Sequence, residues 1–577
     1  MKYRWNIAPV EPLWVERLTR ELGVPPLLAQ CLINRGQGEP AQAARFLNPR
    51  LRDLQDPLLI PGMEDALQRL WRAREEGEVV VIFGDYDVDG VSATALLQLF
   101  LSRHGWVVRT YLPHRLEEGY GLTEEAARNC LAHHPTRLLL AVDCGTTAVE
   151  TIGRLREEGV EVIVLDHHQC AATLPPAAAL VNPCRIHHPD GGGTGAGFTE
   201  LCSVGLAFKL AHALTRHGRR LHLPEFMHTD LRPYLDLVAL GTVADLAPLR
   251  GENRILVAAG LKHLDTTPRA GLQALKSVAQ VKEPVRVRDI GFQLGPRVNA
   301  AGRLESAEEA LRLLLAESLE EAGPLAASLD RRNRERQSLE KQMISALLEQ
   351  LEATFQPERD YVIVAGHPDY HIGVVGIVAA RVLQTFYRPT IIVGGDGPWL
   401  RGSGRSIEGF DLAAALQECH ELLERHGGHK MAAGVTLRPE KLEALRVRLN
   451  EIARRQLRPE QLTPPLRLDA EVALAELTLE RVGALERLAP FGQNNPPVQL
   501  CVPRLSNQRA PLRMGSAQQH LKLWVTDGNS TLEAVWWNGA GQHWPVGTFD
   551  LAVAPVVNRY NGQATVQLTV LDWRPAG

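Results

Sequence analysis

The chain has 577 residues, 45% of them apolar and 23% charged, with a formal net charge of −4. That length is too great for one ordinary core, and the composition excludes a disordered chain; no apolar run approaches the ~20 residues of a membrane span. The net charge neither marks nor excludes a nucleic-acid binder, because binding depends on where basic residues cluster.

In chain order, residues 1–60 hold helical pieces broken by Pro25-Pro26 and by the turn Gly36–Pro40, and are expected to form a small N-terminal helical cap. The start, MKYRWNIAPVEPLW, lacks the apolar core of a signal peptide, so a cytoplasmic protein is expected. From residue 61 the pattern alternates: helix 63–75, strand 79–83, helix 91–103, strand 106–111, helix 123–132, strand 137–143, helix 147–157, strand 160–165. Such alternation predicts a parallel sheet with helices on both faces, an α/β domain over 61–270. Residues 271–356 are read as a connector, because 305–354 is long, charged and helix-favouring. A second α/β body is predicted over 357–456, opening with Tyr361–Ala365 and continuing through Pro389–Val393. After Pro464-Pro465, short alternating segments such as His520–Val525 and Thr565–Val570 predict a small β-barrel over 457–577. The eight cysteines are scattered without a Cys-x-x-Cys pair, which predicts reduced thiols and no zinc site.

The stretch GDYDVDG, residues 84–90, has the Asp85-x-Asp87-x-Asp89-Gly90 spacing that opens a calcium-binding EF-hand loop. Position twelve of that loop must be a bidentate Glu, and here it is Leu96. The motif instead follows the strand-like run Val79–Phe83 and precedes a helix-like run, so its acids sit at the carboxyl end of a strand, where α/β active sites gather. Two more strands end the same way, in Asp143 and in Asp166-His167-His168. A mostly apolar helix ends in Asp245, followed by Pro248.

Neighbouring parallel strands would bring Asp87, Asp89, Asp143 and His167 to one rim. Any one of these aspartates alone is as well read as a turn former or helix cap. Together they repel one another unless cations neutralise them, and oxygen ligands with some imidazole suit Mn2+ or Mg2+. Two such ions at one site point to phosphoester hydrolysis.

The motifs GDYDVDG, Asp166-His167-His168 and GTVADLAPL together resemble the DHH phosphoesterase superfamily. Spacing and length are most similar to its RecJ branch, the bacterial 5′-to-3′ exonucleases specific for single-stranded DNA. The likeness runs from about residue 55 to the C-terminus. It implies Asp87, Asp89, Asp143, His167 and Asp245 as ligands of two Mn2+ or Mg2+ ions, with Asp143 between them, and Asp85 and His168 close to the metals or the scissile phosphate. Spacing alone leaves open whether Asp236 or Asp245 is the fourth-motif ligand; Asp245 is preferred because it lies in the GTVAD segment, and Asp236 is then structural. The glycine-rich stretch Pro189–Gly197 is not followed by Gly-Lys-Ser/Thr and reads as a surface loop, not a phosphate cradle.

In the second body, Arg401–Ser406 and Arg425–Gly434 combine glycines, which expose backbone N–H groups, with Arg405 and His429, which pair with phosphate oxygens. Both stretches resemble the DHHA1 domain, and the resemblance implies a 5′-phosphate pocket at Arg115, Ser403 and Arg405, with Arg303 nearby. His367 reads as a satisfied loop histidine, while His371 is equally a cleft residue or a structural one. Five of the ten tryptophans (524, 536, 537, 544 and 573) fall in the last domain among Arg504, Arg509, Arg513, Lys522 and Arg559. Half of these tryptophans suffice for core packing; the rest suit base stacking on an OB-fold.

The expected protein is thus a DHH domain joined by a long helix to a DHHA1 domain, with a C-terminal OB-fold barrel. It would be a metal-dependent exonuclease that degrades single-stranded DNA from the 5′ end to mononucleotides in recombination and repair. The resemblance implies single-stranded DNA, a single-strand-binding protein and a repair helicase as partners; a monomer and no membrane are expected. The alternatives are a DHH phosphodiesterase on short oligonucleotides or cyclic dinucleotides, and a non-catalytic single-strand-binding scaffold.

Overall fold

The computed structural model describes residues 2–577 except residue 116, residues 188–196, residue 305 and residue 396. It divides into two compact units. One comprises Pro12–Asn333 with Ala484–Pro497; the other comprises Met1–Glu11, Arg334–Gly483 and Val498–Gly577.

The first unit is built on a five-stranded parallel sheet in the order Val107–Tyr111, Val79–Gly84, Leu138–Val142, Glu161–Leu165, Ala179–Val181. The central strands Val79–Gly84 and Leu138–Val142 are continuous apolar runs because both faces are covered, whereas the edge strand Val107–Tyr111 is polar in part and half-exposed. Val80, Ile82, Leu138, Leu140, Ile163 and Leu165 face one core; Val81, Phe83, Leu139, Ala141, Val162 and Val164 face the other. The short Ala179–Val181 strand was not foreseen. The glycine-rich loop lies outside the described residues except for Gly197.

The register fixes where the strands stop. Gly84 pairs with Val142, Val142 with Leu165, and Leu165 with Val181. One residue further on, the Asp85 N–H donates to the Val142 carbonyl (3.1 Å), Asp143 to Leu165 (3.0 Å) and Asp166 to Val181 (3.1 Å). The three acids therefore stand in a row on one edge, before the chain turns away from the sheet.

Two expected boundaries need correction. Residues beyond 270 are not a separate connector: Leu272, Leu275, Ile290, Leu294, Leu311, Leu314, Leu325 and Leu329 belong to the same core as the sheet. The long helix Leu319–Thr354 begins in one unit and ends in the other. Likewise, Ala484–Pro497, expected in the barrel domain, belongs to the first unit. There the buried Arg254 guanidinium lies 3.7 Å over the Phe46 ring and donates to the carbonyls of Phe46 (2.8 Å) and Ala489 (2.7 Å).

In the second unit a mixed sheet runs in the order Arg425–His429, Ala432–Leu437, Leu400–Arg405, Thr390–Gly394, Ile363–His367. The Val375–Phe386 helix shares a core with Ile392 and Ala365 on one face, and Ile391, Val393, Ala433 and Val435 pack on the other. The C-terminal strands form a closed barrel, because Leu500–Asn507 pairs with Phe549–Tyr560 and again with His520–Thr526. Closure removes the exposed edges that a flat sheet would present. The N-terminal helices Pro12–Leu22, Pro26–Asn34 and Pro40–Leu47 form as expected. The first residues do not: Arg4–Ile7 is a strand, parallel to Pro465–Leu468, in the second unit.

Candidate active site

The site is assembled on the acid-bearing edge of the parallel sheet. The turn after Val79–Gly84 places Asp85 in the row of strand ends, and Asp87 caps the helix Val88–Arg103, its Oδ1 accepting from the N–H groups of Asp89 (2.8 Å) and Gly90 (3.1 Å). A Cβ on Gly90 would lie 2.6 Å from the Asp85 carbonyl oxygen, so the last glycine of the motif is required by close approach of the turn. Asp89 points the other way, into the start of the helix Ser203–Arg220: its oxygens accept from the N–H groups of Ser203 (2.7 Å) and Val204 (2.9 Å). Helix N-termini favour such charges.

Asp143 sits in the left-handed region at φ 64° and is 2% exposed. Its Oδ1 accepts from Ser203 Oγ at 2.8 Å and lies 3.4 Å from His167 Nε2. His167 Nε2 is also 3.9 Å from Asp245 Oδ2, at the end of the helix Leu235–Ala244. Asp143 belongs to two sets of groups whose ligand atoms all lie within 4.8 Å of one another, one with Asp85 and Asp87 and one with Asp166, His167 and His168; a third set joins Asp89, Cys202 and Asp245. The expected ligands Asp87, Asp89, Asp143, His167 and Asp245 are therefore brought together.

Asp166 is hydrogen-bonded on both oxygens. Its Oδ1 accepts from the His167 N–H, the His168 N–H and His168 Nδ1 (2.7 Å), and its Oδ2 accepts from the Thr146 N–H. Burial alone would raise its pKa, but the hydrogen bond and charge of His168 hold it below the ordinary carboxylate range. The same contact outweighs the cost of burial on His168 and pushes its pKa up to about 9. Asp166 thus orients His168, whose Nε2 meets Tyr120 Oη at 3.0 Å.

Asp236 lies at the opposite end of its helix from Asp245, nine residues or roughly 13 Å away at 1.5 Å per residue. Its carboxylate accepts from Thr267 Oγ1 (2.7 Å) and pairs with Arg269 Nε at 3.3 Å, which accounts for it as a structural residue.

Burial and neighbouring carboxylates raise the pKa values of Asp85 and Asp143 well above the ordinary range, and burial with Asp89 and Asp87 pushes Asp245 up to about 9. Acids that hold protons against one another are relieved by a cation. Burial also lowers the pKa of His167 and favours the neutral imidazole that ligates metals. Asp85 Oδ1 is buried and has no hydrogen-bond partner among the described residues, an acceptor waiting for a positive group. The oxygen-rich donor set with one imidazole fits Mn2+ or Mg2+.

Two of the expected phosphate-binding arginines lie beside these acids. Arg115 stands 5.2 Å over the ring of Tyr86, within GDYDVDG, and a Cβ on Gly302, the residue before Arg303, would lie 2.8 Å from the Tyr86 carbonyl. Both arginines act on the Tyr86 hydroxyl electrostatically. In the other unit, Arg405 donates to Ser403 Oγ at 2.7 Å, and Gly376 at the start of the Val375–Phe386 helix approaches both. Arg405, Ala432 and His429 are paired across three strands and therefore share a face of the sheet. His367 and His371 each accept a backbone N–H two residues on, from Asp369 and Gly373, and read as turn-formers. In the barrel, Trp536 is buried, Trp537 and Trp544 are exposed, and Trp524 lies 3.4 Å under Arg509.

Ser203, Tyr120, Thr146 and Cys202 escaped the sequence reading. Each is unremarkable in its local context and joins the site only through strand register and helix packing.

Sequence models for the DHH family N-terminal domain, the DHHA1 domain and the RecJ OB domain match residues 79–242, 359–455 and 468–572. The single-stranded-DNA-specific exonuclease RecJ of Salmonella typhimurium is 34% identical over 96% of this chain and 96% of its own length. The chain belongs to the RecJ family. The RecJ of Bacillus subtilis is 36% identical over 99% of this chain and 71% of its own. The crystal structure of Thermus thermophilus RecJ in complex with Mn2+ superposes with a TM-score of 0.84 at 31% identity, covering all of this chain and 80% of that one; the same protein with Mg2+ gives 0.77 at 29%. The RecJ fold, with its DHH, DHHA1 and OB domains, is thus the fold expected from the sequence.

Proposed function

We propose that this chain is a metal-dependent exonuclease that degrades single-stranded DNA from the 5′ end, releasing mononucleotides. The observation that carries the reading is the place of Asp143 between the GDYDVDG acids and the Asp166-His167-His168 group. Asp87, Asp89, Asp143, His167 and Asp245 would hold two divalent ions, Mn2+ or Mg2+, with Asp143 shared and Asp85 alongside. Divalent ions held by these residues would supply a water of lowered pKa and charge stabilisation for phosphodiester hydrolysis. Ser203 fixes the Asp143 carboxylate through its hydroxyl, and Asp166 fixes the ring of His168. Within the first unit Arg115 and Arg303 would offer donors for phosphate, and within the second unit Ser403, Arg405 and His429 would offer donors of the same kind. Exposed aromatics and arginines on the barrel suit a single strand, whose bases offer π-faces.

Family membership supports single-stranded DNA as substrate and a place in recombination and repair beside a helicase and a single-strand-binding protein. A monomer in the cytoplasm completes the reading; among the described residues no helix is long and apolar enough to cross a membrane. The test is incubation with Mn2+ and single strands labelled at either end, a duplex, and a dinucleotide. Mononucleotides should leave the 5′ end of the single strand only. Equal cutting of duplex, or activity confined to the dinucleotide, would contradict the proposal.

A further inference from the structure

We propose that Asn182 is a positioning residue for the reaction, acting through the backbone of His168; the inference rests on the exonuclease reading above. Strand register places Asn182 in the row of strand ends. Val142, Leu165 and Val181 lie side by side, so the residues that follow them, Asp143, Asp166 and Asn182, take equivalent places on the edge. The first two are acids and the third is a neutral amide. Asn182 is 0% exposed, and both ends of its amide are engaged. Its Nδ2 donates to the His168 carbonyl at 2.8 Å and to Thr146 Oγ1 at 2.9 Å, and its Oδ1 accepts the Cys184 N–H at 2.7 Å. These partners fix which end of the amide is oxygen, since a carbonyl only accepts and a backbone N–H only donates.

The bonds close a ring around the turn that carries His168. The Thr146 N–H donates to Asp166 Oδ2 (3.1 Å), and Asp166 Oδ1 accepts from the His168 N–H (3.3 Å) and from its Nδ1 (2.7 Å). Asp166 thus holds His168 by its N–H and ring, while Asn182 holds it by its carbonyl. With both sides of its backbone fixed, His168 has little room to swing its ring away from the catalytic edge. Groups placed one layer behind such a site are worth roughly 10- to 100-fold in activity, although they touch neither ion nor substrate. The plainer role for an asparagine before a proline is turn formation: Oδ1 takes the Cys184 N–H two residues on and leads into the turn Pro183–His187. Aspartate would serve that turn equally well. The two bonds from Nδ2 need a donor, which an aspartate carboxylate lacks.

The test is single-turnover release of the 5′-terminal nucleotide from single-stranded DNA at saturating Mn2+, at a temperature where circular dichroism shows each protein folded. Asn182→Asp and Asn182→Ala should both slow the cleavage step roughly 10- to 100-fold and leave the half-saturating DNA concentration near that of wild type. In a His168→Ala background, Asn182→Ala should cost no more than about threefold, because two changes along one route do not add. The inference is overturned if Asn182→Asp works as well as wild type, since Asn182 would then be a turn-former only. It is equally overturned if the Asn182→Ala penalty is undiminished without the His168 ring, or if His168→Ala is fully active. An idle wild type would overturn the exonuclease reading itself, and this inference with it.

Discussion

Two aspartates nine positions apart on one helix illustrate how environment divides roles between identical side chains. Asp236 faces Thr267 and Arg269 and is neutralised by them, whereas Asp245 faces Asp89, His167 and Cys202. Asp236→Ala should therefore lower thermal stability by about 3 kcal/mol, because it strands the largely buried Arg269. Asp245→Asn should leave the metal-free protein as stable as wild type or more so, since it removes a carboxylate whose charge burial and Asp89 oppose, while cutting the exonuclease rate at least about 100-fold through loss of a ligand. Calorimetry of both variants beside a turnover assay separates the two. Spacing could not make this choice, because both acids flank the same apolar run; the partners that decide it, Thr267 and Arg269, lie some thirty residues downstream.

At the level of elements, the strands and helices around the site were legible in the sequence. Strands buried on both faces are unbroken apolar runs, and Val79–Gly84, Leu138–Val142 and Glu161–Leu165 each announce themselves and end in their acid. The DxDG turn was legible in part. Its acids pointed to a cation, but the reason for its glycine appears only when the turn is folded and the Asp85 backbone lies against Gly90. A Gly90→Ala chain would have to open that turn by several tenths of an ångström, since its Cβ would stand 2.6 Å from the Asp85 oxygen and 2.8 Å from the Asp85 nitrogen. It should lose Mn2+ affinity, measured by titration calorimetry, while the far-ultraviolet circular dichroism of the protein stays unchanged. Ser203 was illegible for the opposite reason: it opens a helix from a separate part of the chain and reaches Asp143 only across the fold.

Over the whole molecule, contacts remote in sequence set the corrections. Residues 4–7 pair with residues 465–468, and Trp5 Nε1 donates to Asp572 Oδ2 at 2.9 Å, a closure that no local pattern encodes. Asp572, 4% exposed, also accepts from the N–H groups of Lys2 and Tyr3, so it loses three donors if that segment goes. Deleting residues 2–8 should lower the melting transition of the second unit and leave that of the first in place, as resolved by calorimetry. The expected connector failed for a related reason: residues 271–318 are helix-forming and amphipathic, and only packing shows that their apolar side chains complete the core beneath the catalytic sheet.

The direct test of the account is the electron paramagnetic resonance of bound Mn2+. If Asp143 is shared between two ions, saturated wild-type protein should bind two Mn2+ per chain with the spectrum of an exchange-coupled pair, and Asp143→Ala should lose both the coupling and the exonuclease activity. A wild-type spectrum of uncoupled ions, or coupling and activity that survive in Asp143→Ala, would contradict it.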